Sequence, residues 1–135
     1  MLGLLREDEH LAARVHLLGR VPHEEVETLC RAADLFVLGS HREGSGYALL
    51  EALACGLTPV VSDIPSFRSL TGNGAIGALV SVGDVAGFAA SIVEQAGRPR
   101  REARDAVLAH FAATLSPDAL GHRLVSAYRA LAAGQ

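Results

Sequence analysis

Along this chain, short β-branched or apolar runs alternate with longer stretches of helical period, and that rhythm admits few folds. Four runs carry strand character: Val15 to Leu18, Leu35 to Leu38, Thr58 to Ser62 and Ala78 to Ser81. Each is nearly continuous in its hydrophobicity, as a strand covered by helices on both faces requires. Between the first two, PHEEVETLCRAAD places Pro22 in a first helical turn and Glu24, Glu25 and Glu27 near the positive end of the helix dipole, with Val26, Leu29, Cys30 and Ala33 on one apolar face. Tyr47 to Cys55 reads as a helix ended by Gly56, a residue suited to the left-handed C-terminal position. The stretch from Asp63 through Pro65 to Gly77 is turn-rich, and Asp84 then caps a helix running to about Gln95, stopped by Gly97 and Pro99.

The last third holds no strand candidate. It reads as two helices separated by Ser116-Pro117, an N-cap followed by a first-position proline. Leu120, Leu124, Ala127, Tyr128 and Leu131 form an apolar stripe on the final helix, which must lie against something. The pattern predicts an α/β fold: a Rossmann-like three-layer domain with a parallel sheet of three or four strands. No repeat or low-complexity linker interrupts it, so residues 1–135 read as a single domain, with C-terminal helices from about residue 99.

Composition narrows the function classes. Half of the 135 residues are apolar and the net charge is only -3, which excludes a disordered chain, and no apolar stretch is long enough to cross a bilayer. Acidic residues outnumber basic ones, 15 to 12, against a general nucleic-acid binder. Aromatic residues make up 4% and Trp is absent, which leaves few stacking platforms, so a ligand must be held mainly by backbone and carboxylates. Cys30 and Cys55 lack CxxC spacing and read as buried thiols in a reducing, cytoplasmic setting. Arg6 to Glu9 cut the N-terminal apolar run short of signal-peptide length. The six histidines show no ligand spacing, so no metal site is expected, and His41 reads as a solvated loop residue. Arg98, Arg100, Arg101 and Arg104 read as a solvated helical face.

The chemistry-bearing stretch is Ser40 to Gly56, SHREGSGYALLEALACG, which joins a strand end to a two-glycine loop and then a helix. Glycines admit close backbone approach, and the free N–H groups at the helix start suit a diphosphate. Ligands of such sheets gather at the carboxyl ends of the strands. Two carboxylates bracket the layout, Glu43 in the loop and Glu51 on the helix. A helix starting near Gly46 carries Glu51 about 7 to 8 Å along its axis, so the pair can hold opposite ends of one elongated ligand. A carboxylate accepting from neighbouring hydroxyls suits a ribose diol or a sugar. Read singly, Glu43 is more simply a solvated loop residue and Glu51 a surface helix residue, as most glutamates are.

Ser40-x-x-Glu43-Gly44-x-Gly46, continuing to Leu50-Glu51-Ala52-x-Ala54-Cys55-Gly56-x-x-Pro59-Val60-Val61, resembles the Glu-x7-Glu signature of retaining glycosyltransferases of family 4 with the GT-B fold. The resemblance runs from about Val15 to Val93 and takes in Leu18-Gly19-Arg20-Val21-Pro22, Ala33-Asp34-Leu35-Phe36-Val37 and Gly77-Ala78-Leu79-Val80 with Asp84. It implies the C-terminal, donor-binding half of the two-domain fold, with its first strands missing. It further implies that Glu43 is the catalytic-site carboxylate contacting the donor sugar and that Glu51 accepts the ribose hydroxyls. Gly44, Ser45, Gly46 and Tyr47 would offer backbone N–H groups to sugar and phosphates, and Val21 would lie beside the base, or else be a strand-end core valine. Ser45 departs from the family, which usually has Phe there.

The reaction so implied moves a sugar from a nucleotide diphosphate sugar to an acceptor with retention, and needs neither metal nor other cofactor. The base, the sugar and the acceptor stay open. The family's pyrophosphate-gripping Arg and Lys, and its acceptor-binding first domain, have no counterpart in this sequence. The expectation is therefore a donor-binding part that needs a missing N-terminal domain or a partner chain and is inactive alone. The alternative is a non-catalytic partner or regulatory module on the same scaffold. A flavodoxin-like receiver or dinucleotide domain ranks below both, for want of an acidic phosphoacceptor cluster or GxGxxG.

Overall fold

Parallel strands need a crossover, and here each crossover is helical. The structure, a computed structural model, describes residues 9–134. The elements follow in the order α1 (Glu9–Ala12), α2 (His23–Ala32), β1 (Leu35–Leu38), α3 (Tyr47–Ala54), β2 (Thr58–Ser62), α4 (Pro65–Leu70), β3 (Ala78–Val80), α5 (Val85–Ala96), α6 (Arg100–Thr114) and α7 (Pro117–Ala133). The sheet among the described residues is parallel and ordered β1-β2-β3, with Leu35 opposite Thr58 and Val60 opposite Ala78. This is the expected Rossmann-like α/β arrangement.

The central strand β2 is buried along its whole length, which is why its sequence is apolar without alternation. Val61 joins Leu49 and Leu53 of α3, Phe67 of α4, Ile64, Ile76 and Val107 of α6 in the main core. Helices α3 and α6 pack against each other and on β2, while α5 runs across all three strands. A second, smaller cluster of Ala52, Cys55 and Leu57 receives Cys30 and Ala33 from the α2 side. The His110 ring of α6 donates from Nε2 to the Leu70 carbonyl at 2.9 Å and so ties α6 to the end of α4.

Local signals account for the helix ends. Asp84 accepts from the Gly87 N–H at 2.8 Å, and Ser116 accepts from the Ala119 N–H at 3.2 Å ahead of Pro117. Gly56 closes α3 with φ of +79°, as its position predicted. Pro22 is the N-cap of α2 rather than a residue of its first turn.

Three further expectations are corrected. Val15 to Leu18 is not a strand: the segment is irregular, Leu17 and Leu18 are exposed, and no strand of the sheet pairs with it. A hydrophobic run becomes a strand only where a ladder partner exists, and the outer edge of β1 makes no such ladder among the described residues. The turn-rich region contains α4, with Pro65 opening its first turn. The apolar stripe of α7 is not covered by any described residue: Leu120, Leu124, Tyr128 and Leu131 are exposed, Tyr128 at 71%, because α7 meets the rest of the fold chiefly through α6. No helix of the described residues is long and apolar enough to cross a membrane.

Candidate functional site

The loop that leaves β1 at its carboxyl end, residues 39–46, is shaped by Gly46. This residue is buried and left-handed, with φ of +68°, and forms the N-cap of α3. A Cβ there would lie 2.8 Å from Leu70 Cδ1 and 3.4 Å from Phe67 Cε1, so the backbone rests directly on α4. Gly44, by contrast, faces open space. The loop is pinned from below, where Ser66 of α4 donates through Oγ to the Glu43 carbonyl at 3.3 Å. Ser40 Oγ donates to Glu43 Oε2 at 3.4 Å, a long bond that leaves most of the carboxylate's acceptor capacity open.

Helix α4 is held in turn by an ion pair. Arg68 donates from Nη2 to Asp63 Oδ2 at 2.7 Å and from Nε to Oδ1. Asp63 sits at the carboxyl end of β2, and its hydrogen bonds with Arg68 hold its carboxyl below the usual carboxylate range. No side chain caps the first turn of α3, so its leading N–H groups are open to an anion.

Glu51 lies on the face of α3 turned to α2. It lines a cavity of about 400 Å³ with Cys55 at the C-cap of α3 and with His23, Glu24, Glu27 and Cys30 of α2. Its carboxylate has no hydrogen bond or ion pair with another described residue, whereas Glu27 is engaged by Arg31 at 2.7 Å. Burial pushes the Cys30 thiol up, and the neighbouring Cys55 and the Glu51 carboxylate push it the same way. A free carboxylate on a cavity wall can accept two hydroxyls of a diol at once.

Of the residues singled out from sequence, Glu43, Gly44, Ser45 and Tyr47 form an exposed surface around the start of α3, with Gly46 beneath them. Glu51 opens instead into the α2–α3 cavity, which none of the loop residues lines. Val21 is half-buried just before α2 and does not line that cavity either. The α2 wall and Ser66 carry no signal of their own in the sequence, and Ser40 stands out only as the first residue of the motif, without a role. His23, Glu27 and Cys30 recur at helical spacing, which marks only a shared face. Cys55 is buried as expected, Cys30 only partly, and both are free thiols. Among the described residues no group of three or more His, Cys, Asp or Glu is placed to hold a metal ion. The arginine-rich stretch is not simply solvated: Arg98, Arg100 and Arg104 line a second cavity, and Arg100 pairs with Asp34.

The sequence matches the family described as glycosyl transferases group 1 over residues 1–104. It is 38% identical over 133 residues to a D-inositol 3-phosphate glycosyltransferase of Geodermatophilus obscurus, covering 94% of this chain and 29% of that protein. It is 33% identical over 132 residues to proteins of the same name from Mycobacterium bovis and Mycobacterium tuberculosis, covering 94% of this chain and 28% of each. The chain thus spans less than a third of the length of these relatives.

Proposed function

The chain belongs to the glycosyl transferases group 1 family, and from that premise we propose that it is the donor-binding part of a retaining, GT-B glycosyltransferase. Its ligand is a nucleotide diphosphate sugar. Glu51 accepts the ribose hydroxyls, the uncapped start of α3 with the N–H groups of Gly44 to Tyr47 takes the diphosphate, and Glu43 meets the sugar. The observation that carries this reading is the unpaired Glu51 carboxylate on the wall of the cavity beside α2. Five residues into α3, it stands about 6 Å along the axis from the helix start. That is a suitable span between a ribose and the phosphates attached to it.

In this reading the chain stabilises the departing diphosphate through helix-start N–H groups, and no metal or other cofactor takes part. Glu43, held by Ser40 and Ser66, sits where charge develops on the sugar. Turnover also requires a closed cleft with a positioned acceptor, which we assign to parts of the relatives' length that this chain does not span. The acceptor named for those relatives is D-inositol 3-phosphate, and an inositol phosphate is the first acceptor to assay. The exposed stripe of α7 favours a second reading, a module that works by docking to another chain.

Calorimetric titration of UDP- and GDP-sugars into the chain and into Glu51→Ala tests the donor site. Hydrogen bonds to a charged group contribute about 1.5–3 kcal/mol, so the variant should bind about ten- to a hundredfold more weakly. Equal binding by both proteins, or by neither, refutes the assignment.

A further inference from the structure

The second cavity lies at the amino ends of β1 and β2, on the side of the sheet away from the 39–46 loop. It has a volume of about 250 Å³ and is bordered by Asp34, Gln95, Arg98, Arg100 and Arg104 among others. A strand of four residues separates it from the donor loop, about 13 Å at 3.3 Å per residue.

Its charge is not balanced. Three guanidinium groups border it against one carboxylate, on a chain whose net charge is -3. Arg100 pairs with Asp34, and Arg98 donates from Nη1 to Gln95 Oε1 at 3.2 Å. Arg104 is half-buried and has neither a hydrogen bond nor an ion pair with another described residue. A guanidinium beside a cavity with no partner of its own is free to meet the oxygens of an anion that enters it.

Two further groups border the cavity. Gln95 is buried to 7% exposure, yet it still borders the cavity. Helix α6, fifteen residues long, begins beside the cavity at Arg100 and carries no side-chain cap, so its leading N–H groups are open to an anion, set against the negative C-terminal ends of α3 and α5 at the same cavity. Guanidinium forks match the oxygens of a phosphate in pairs. The volume falls just below the range of about 300–1,000 Å³ typical of drug-sized ligands, too small for a nucleotide sugar and suited to a phosphate group on a short ester.

We propose that this cavity is a second binding site, separate from the donor loop, for the phosphate group of a small phosphorylated molecule. Arg104 is its principal ligand and Asp34 its internal competitor. The proposal does not depend on the donor-site reading.

The test is calorimetric titration of inorganic phosphate and, separately, glycerol 3-phosphate into the full chain at constant ionic strength. Binding with a Kd of about 1 mM or tighter is expected, undiminished by excess UDP. The ester binding more tightly identifies an organic phosphate as the ligand; equal binding identifies the free ion. Arg104→Gln keeps the side-chain stem that lies against Gly56 and should weaken binding about tenfold or more. Asp34→Asn should tighten it about threefold by releasing Arg100 from an exposed ion pair. Arg101→Gln, which removes an exposed charge outside the cavity, should leave it unchanged. Should Arg104→Gln fail to fold, the gain in Asp34→Asn and the silence of Arg101→Gln still decide. Absence of phosphate binding, equal binding by Arg104→Gln, an equal loss in Arg101→Gln, or no gain in Asp34→Asn overturns the proposal. In that event the arginines serve the C-terminal ends of α3 and α5, which also reach the cavity.

Discussion

Gly77 and Gly83 form a matched pair that separates backbone strain from steric collision. Both are left-handed, with φ of +68° and +82°. A Cβ on Gly83 meets nothing within 4 Å, whereas one on Gly77 would lie 2.0 Å from the Pro59 carbonyl oxygen and 2.6 Å from Pro59 Cγ. Gly77 immediately precedes β3, opposite Pro59 in the β2–β3 register, so the obstructing atoms are main chain and ring and cannot swing away. Alanine at either position takes on the left-handed penalty of about 1–2 kcal/mol. At Gly77 it also forces β3 away from β2, adding about 1–3 kcal/mol of overpacking and about 1 kcal/mol for each ladder hydrogen bond lost. Gly77→Ala should therefore be about 2–4 kcal/mol less stable than Gly83→Ala, a large share of the 5–15 kcal/mol typical of a whole domain. Urea unfolding followed by far-ultraviolet circular dichroism measures the difference. Stabilities equal to within about 0.5 kcal/mol would refute the view that β3 is pinned to β2 at this glycine.

Ser62 Oγ is fully buried at the carboxyl end of β2 with no hydrogen-bond partner among the described residues, so Ser62→Ala should raise stability by about 1 kcal/mol in the same urea assay. A loss of that size would mean that the hydroxyl is partnered. The Asp63 carboxyl is held low by Arg68, so its contribution is present above the usual carboxylate range and disappears as pH falls through the lowered value. Arg68→Gln should move the Asp63 titration, followed by NMR, up toward that range and remove this acid-sensitive contribution; an unmoved midpoint contradicts the pairing. Glu51 helps to push the Cys30 thiol up. Glu51→Gln should therefore speed iodoacetamide alkylation of Cys30 at neutral pH, and an unchanged rate would place Glu51 away from that thiol.

Where local chemistry settles an element, the sequence was sufficient. Gly56, Asp84 and the Ser116-Pro117 pair each mark a helix end through a contact made within a few residues. Pro65 carries the same information, but beside Asp63 and the following glycines it reads equally as a turn, and α4 was lost to that ambiguity. Val15 to Leu18 failed for a different reason: hydrophobicity records a wish for burial, while a strand also needs a neighbour. The glycine loop before α3 was visible from its spacing. The wall opposite Glu51 was not, because the contact of α2 with α3 is tertiary and joins residues more than twenty positions apart.

Helix α7 divides the molecule by rate as well as by position. Seventeen residues of helix are close to the length at which an isolated helix is only marginal in water, and its stripe from Leu120 to Leu131 gains little from burial. Its amide protons should exchange with solvent through local fraying, while those of Val60 and Val61 wait for unfolding of the whole sheet. A protease acting under native conditions would accordingly shorten the chain from this helix and leave the β1-β2-β3 sheet, both cavities and the glycine loop in one resistant fragment.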